Sequence, residues 1–281
     1  MLRSILFPLD ATEASDYAGE TAIQLSKKFD EKGTPIHLSA LGVVDRPGIE
    51  RPEPTPMGAG GFKEKRDHTL LADAREKISN SLKNYEARCK KAGVECEFLQ
   101  REGDPEEQIT DAALIHDAIV VGKETNFHFE TSESTGETVG NLIRNHPRPT
   151  LLTPTKAPAG GNTLIAYDAS IACSHSLHFW LLLGLPLIGG EVHIVSVDKD
   201  HERATGLCEE ARSFLATHDV QAKVHPVESS DVVSSLLEVA GKVAAGTMVM
   251  GAYGTSGLKA AFFGSSTKKL IEASPYTLFI S

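Results

Sequence analysis

The chain has 281 residues, 41% hydrophobic and 23% charged, with a formal net charge of -10. That length suits two domains at roughly 100–200 residues each, either of them large enough to bury a core. Acid exceeds base on both sides of Pro158, so there is no basic stripe to track a phosphate backbone and nucleic acid is excluded as a main partner.

Four scattered cysteines (Cys89, Cys96, Cys173 and Cys208), with no CxxC pair, read as reduced structural thiols of a cytoplasmic protein. The opening "MLRSILFPLD" is too short for a signal-peptide core or a membrane span. "FWLLLGLPLIGG" (179–190), the most apolar run, reads as a buried helix, and no membrane partner is expected.

In chain order, apolar runs of strand type occur at 4–10, 36–45, 94–100, 117–122 and 149–154. Helical spacing falls between them, at 13–29 (Ala14, Ala18, Ala22 and Leu25 on one side), 68–92, 104–116 and 137–145. Asp104 reads as the N-cap of its helix, with Pro105 at the first helical position and acids in the first turn. The segment 46–67, with four prolines and many charges, reads as a mobile loop. Alternating strands and helices predict an α/β fold with a parallel sheet.

The pattern then repeats. "TLIAYD" (163–168) matches "SILFPLD", "EVHIVSVD" (191–198) matches "IHLSALGVVD", and strands at 221–227, 246–251 and 276–281 follow in the same order. Asp168 thereby corresponds to Asp10, and Asp198 to Asp45. The repeat marks a duplicated domain. Its join is the Pro- and Gly-rich "TPTKAPAGGN" (153–162), which gives domains at 1–155 and 162–281.

In an open parallel sheet, ligands lie at the carboxyl ends of the strands. There the second half carries "GAYGTSGLKAAFFGSST" (251–267), in which Gly251, Gly254 and Gly264 give bare backbone. Ser265, Ser266 and Thr267 open a helix whose free N–H groups suit an anion. No GxxxxGK[ST] and no GxGxxG is present, so neither a P-loop nor a dinucleotide fingerprint is implied.

The spacing G-x2-G-x9-G-S at 251–265, the aspartates of "FPLD" and "AYD", the "REGDPEEQI" segment (101–109) and the endings "IRNHPRPTLLT" and "IEASPYTLFIS" resemble the universal stress proteins. The chain resembles two such domains in tandem. The resemblance implies two adenine-nucleotide alpha-hydrolase-like (Rossmann-like) domains. Each would be a five-stranded parallel sheet in the order 3-2-1-4-5, and the two halves would pair as an intramolecular pseudo-dimer, with a homodimer of whole chains as a further option. It also implies ATP, with or without Mg2+, in the second half. Ala166, Tyr167 and Asp168 would line the adenine and ribose side, with Val197 near the base. Met250, Gly251, Tyr253 and Gly254 would wrap ribose and phosphates, and Gly264, Ser265, Ser266 and Thr267 would hold the phosphate tail.

The first half departs from that pattern. Thr125 stands for the second glycine, the spacing to Gly136 is one residue longer, and Glu137 replaces the hydroxyl residue. A carboxylate about 4 Å from a phosphate charge costs roughly 4 kcal/mol at an effective dielectric near 20, nearly three decades of affinity. The first half is therefore expected not to bind ATP.

Cys173, His175 and His178 lie close in sequence, but surface histidines on a capped helix explain them better than a metal site. Glu106 and Glu107 suit a solvated first helical turn, Ser174 and Ser176 lack triad partners, and Lys268 and Lys269 suit a surface face. No catalytic base is evident. A regulatory ATP-binding module of the stress response, with an unnamed protein partner, is preferred over a slow ATPase or nucleotidyl transferase, and over a nucleotide-free dimerisation protein.

Overall fold

A computed structural model of the chain describes residues 1–54, 60–129, 131, 137–145, 148–251 and 265–281. It divides into two compact units: an N-terminal one, Arg3–His146, and a C-terminal one, Pro147–Ser281 with Met1–Leu2.

The N-terminal unit runs β1 (Ser4–Leu9), α1 (Asp16–Glu31), β2 (His37–Asp45), α2 (Arg46–Ile49), α3 (Gly60–Ala92), β3 (Cys96–Gly103), α4 (Pro105–Ala113), β4 (Ala118–Gly122) and α5 (Glu137–Asn145). Its strands are parallel in the order β3-β2-β1-β4, with Ser4 opposite His37, Ile5 opposite Ala118 and Leu38 opposite Cys96. β1, β2 and β4 are buried almost throughout, as strands covered on both faces should be.

α3 seats against β2 at Gly42, where an added Cβ would lie 2.4 Å from the Ile78 side chain. Tyr85 packs tilted against Phe7 at 4.7 Å between centroids and donates from its hydroxyl to Gly19 O at 3.0 Å. Asp104 caps α4 as expected, accepting from Glu107 N–H at 3.0 Å.

The C-terminal unit begins with β5 (Thr150–Thr153) and continues through β6 (Asn162–Ala166), α6 (Ile171–Leu182), β7 (Val192–Asp198), α7 (His201–Ala216), β8 (Ala222–Glu228), α8 (Val232–Lys242), β9 (Ala245–Met250), α9 (Ser265–Ala273) and β10 (Thr277–Ile280). Its parallel strands stand in the order β8-β7-β6-β9-β10, the 3-2-1-4-5 order that the resemblance implies. β5, which the sequence reading gives to the first half, falls within this unit: it pairs antiparallel with β10, Leu152 opposite Leu278.

Two readings are corrected. The segment 46–67 is not a loop throughout. Asp45 caps the short α2 by accepting from Gly48 N–H at 2.9 Å, with Pro47 in its first turn, and α3 already runs from Gly60. Ion pairs of Asp67 with Lys63 and Arg66, and of Arg66 with Glu53, hold that first part of α3 and supply what its composition lacks in apolar side chains. Residues 55–59 lie outside the described set.

The run 179–190 is not one buried helix. α6 stops at Leu182, Gly184 takes a left-handed φ of 75°, and Pro186 sits in a single 3-10 turn over Leu185–Leu187. Phe179, Leu182 and Leu187 are exposed.

Candidate functional site

In the C-terminal unit a cavity of about 260 Å³ opens where the carboxyl ends of β6, β7 and β9 meet. This is the switch point of the strand order, where open α/β sheets take ligands. Six of the residues implied by the resemblance line it: Ala166, Tyr167 and Asp168 after β6, Val197 on β7, and Met250 and Gly251 at the end of β9. Tyr253, Gly254 and Gly264 lie outside the described residues. Ser265, Ser266 and Thr267 form the first turn of α9, and Leu270 of that helix reaches the cavity wall.

Each lining element is fixed locally. Tyr167 N–H donates to Val195 O at 2.9 Å, and Ser196 Oγ–H donates to Tyr167 O at 2.7 Å, which lock the chain leaving β6 onto β7. The chain then turns sharply, with Ala169 at a left-handed φ of 58°. Ser170 caps α6 by accepting from Cys173 N–H at 3.1 Å, while its own N–H donates to Asp168 Oδ1 at 2.9 Å. Gly251 lies so close to this first turn of α6 that an added Cβ would be 2.6 Å from Cys173 N and 2.8 Å from Ala172 C, both main-chain atoms. Glycine is required there for space.

The cavity is apolar on one side and polar at its mouth. Val195 and Val197 on β7, Val232, Val233 and Leu236 on α8, and Met250 make the apolar side. Asp168, Asp198 and Arg203 bring charge, Asp198 Oδ2 pairing with Arg203 Nε at 3.3 Å. The Tyr167 hydroxyl is not free for a ligand: it donates to Glu210 Oε1 at 2.7 Å. Burial, with that bond, raises its pKa. Burial also pushes the Cys173 thiol up to about 12, and its proton goes to Ala166 O, at 2.9 Å. Cys173 is therefore inert packing rather than a nucleophile.

Sequence reasoning missed the α7 and α8 contributions, Arg203, Leu207, Val232, Val233 and Leu236. The paired valines just after the Asp231 cap of α8 were the available signal. The side chains set close in sequence near Asp168 do not converge. Cys173 turns to Ala166 O, and His178 Nδ1 to Ser174 O at 2.8 Å. Among the described residues no cluster of three His, Cys, Asp or Glu is placed to hold a metal ion.

The equivalent place in the N-terminal unit is built from the same strand ends and is covered by the chain after β4. The cavity of about 210 Å³ beside Asp10 lies instead between the start of α1 and α3. After β4 the chain folds down over β1 and β2, burying Thr125, Asn126 and Phe127. Asn126 N–H donates to Asp10 Oδ2 at 2.8 Å, and His128 Nδ1 lies 2.7 Å from Asp45 Oδ2. Asp10 also accepts from the Thr12 N–H and hydroxyl (3.1 and 2.6 Å) and from the Ser15 hydroxyl (2.6 Å), so its carboxylate is saturated and buried. Its counterpart Asp168 is exposed. Gly122 repeats the close approach of Gly251, its Cβ position being 2.4 Å from Ala14 O, so the two units share the scaffold and differ in what covers it. The side chain of Glu137 and the whole of Gly136 lie outside the description.

This is a duplicated α/β fold, with an open cavity at one switch point and the chain's own loop over the other. No family model matches the chain. Among curated proteins it is similar to universal stress protein Slr1230 of Synechocystis, 24% identical over 212 residues, 73% of this chain and 72% of the relative. Among solved structures it is similar over 98% of its length to a universal stress protein from Archaeoglobus fulgidus (97% of that chain, 20% identity, TM-score 0.69). A putative universal stress protein from Pseudomonas aeruginosa gives 99% and 92% coverage, 16% identity and a TM-score of 0.61. Over nearly its whole length the chain shares the fold of these tandem-sized universal stress proteins.

Proposed function

We propose that the C-terminal unit binds an adenine nucleotide, ATP foremost, that the N-terminal unit does not, and that the chain serves as a regulatory binding module of a stress response with slow or no turnover. The observation that carries this reading is the contrast at the two equivalent strand ends: a cavity of about 260 Å³ in one unit, and the chain's own loop, tied to Asp10 and Asp45, in the other.

The cavity is a little under the roughly 300–1,000 Å³ of drug-sized clefts, which suits a nucleoside with its phosphates outside. Val195, Val197 and Leu236 offer apolar walls to a base, Asp168 an acceptor to ribose hydroxyls, and Gly251 with the free N–H groups of α9 a course for the phosphates. Asp168 and Asp198 are the carboxylates that a Mg2+ arriving with the nucleotide would meet.

The test is Ser265→Glu, which gives the second motif the acid that the first carries. A carboxylate about 4 Å from a phosphate costs roughly 4 kcal/mol, so ATP affinity by titration calorimetry falls by about three decades. Stability is kept, because an acid suits a helix start. A loss of less than tenfold, or unchanged adenosine and ATP affinities, contradicts a phosphate at the start of α9.

A further inference from the structure

A pair of thiols far along the chain from the cavity residues supports a second chemistry. Cys89 stands in the last turn of α3 and Cys96 opens β3, the edge strand of the N-terminal unit's sheet. α3 lies along β3. Tyr85, one turn before Cys89, meets Phe98, two residues after Cys96, edge to face at 6.4 Å. That contact sets Cys89 opposite Cys96. Between them the chain reverses at Gly93, φ 71°, with Val94 N–H donating to Cys89 O at 3.0 Å. Each thiol is the largest influence on the other, drawing Cys89 down and driving Cys96 up, while the Cys96 thiol donates to Glu97 O at 3.3 Å. Cys89 is buried, while Cys96 is partly open. Cys173 and Cys208 are each buried, in the other unit.

We propose that Cys89 and Cys96 are a reversible oxidation site, closing to a disulfide when a small hydroperoxide reaches the Cys96 side. One sulfur of the pair attacks a peroxide oxygen. An S–O bond forms, the O–O bond breaks, and the departing oxygen leaves with the thiol proton, as water from hydrogen peroxide, to give a sulfenic acid. The second sulfur then displaces that oxygen. An S–S bond forms, the S–O bond breaks, and water leaves with the second thiol's proton. Two thiols lose two electrons and the peroxide gains them. The pairing of one open and one resolving thiol is what favours the disulfide over deeper oxidation. The product staples the end of α3 to the edge strand.

The test uses the whole reduced chain, treated with hydrogen peroxide under native conditions, quenched, unfolded and alkylated. The expected product is monomeric, lacks two hydrogen atoms, and alkylates at only two of its four cysteines. Lys90 and Lys91 lie between the pair, so trypsin yields two peptides joined solely by the Cys89–Cys96 bond, and dithiothreitol parts them. Cys96→Ser abolishes the cross-link and Cys208→Ala keeps it. Four alkylated cysteines, a sulfinate at Cys96 without a cross-link, or a disulfide between chains overturns the proposal. The mapping on the unmutated chain decides it even if a variant fails to fold.

Discussion

Gly251→Ala is the most direct probe of how the fold positions the cavity. The new Cβ would stand 2.6 Å from Cys173 N, 2.8 Å from Ala172 C and 3.0 Å from Ala172 Cβ, against ordinary carbon contacts of about 3.5–4.0 Å. Two of those neighbours are main-chain atoms in the capped first turn of α6, so the end of β9 or the start of α6 must move by about 1 Å. Overpacking of this kind costs about 1–3 kcal/mol, and both elements line the cavity. The control is Gly122→Ala, whose Cβ would meet Ala14 O at 2.4 Å in the N-terminal unit. Urea unfolding should show both variants less stable by about 1–3 kcal/mol. Equilibrium dialysis should show ATP affinity lowered, by about tenfold or more, in Gly251→Ala alone, since 1.4 kcal/mol is one decade. Equal loss of binding in the two variants, or a Gly251→Ala protein that binds and folds as before, would refute the reasoning.

Asp10 and Asp168 correspond in sequence and should behave oppositely. Asp10→Ala leaves the Thr12, Ser15 and Asn126 donors of a buried site without their acceptor and should cost about 3 kcal/mol or more in chemical unfolding, with ATP binding unchanged. Asp168→Ala loses one bond, from Ser170 N–H at an exposed residue, and should cost about 1 kcal/mol or less while weakening ATP.

The pH profile carries a third prediction. Burial lowers the pKa of His116, His193 and His225, and His193 Nδ1 lies 2.9 Å from His225 Nε2, with Glu191 and Lys223 beside them. Their folded values lie below the ordinary 6.5, so the unfolded chain takes up protons first as pH falls. The stability they contribute is complete above pH 6.5 and declines through the folded values. Urea midpoints should drop from pH 7.5 toward 5, before the depressed carboxylates titrate, and His225→Asn should flatten the slope; a level profile over that range counts against it.

Most of the sheet was legible because its strands are short apolar runs closed by Asp or Gly, and the duplication made each half a check on the other. Six of the lining residues were legible through the family's motif. What was not legible depended on contacts distant in sequence. Helix formation at 46–49 rests on the Asp45 side chain, and the early start of α3 on ion pairs among Glu53, Lys63, Arg66 and Asp67 rather than on apolar period. The break in 179–190 was carried by Gly184 and Pro186, two residues that the apolar count outweighed. The covering of the N-terminal strand ends was hidden most fully. It turns on a main-chain N–H of Asn126 meeting Asp10 across 116 residues, which no local pattern records. The proposal of a silent first half draws on Glu137 in the sequence and on the loop that Asn126 and His128 tie to Asp10 and Asp45.

The central claim is an asymmetry between two copies of one scaffold, and the number of nucleotides bound per chain tests it most directly. Equilibrium dialysis of the intact chain against labelled ATP should saturate at one per polypeptide. Two equivalent sites, or none at millimolar ATP, would contradict it.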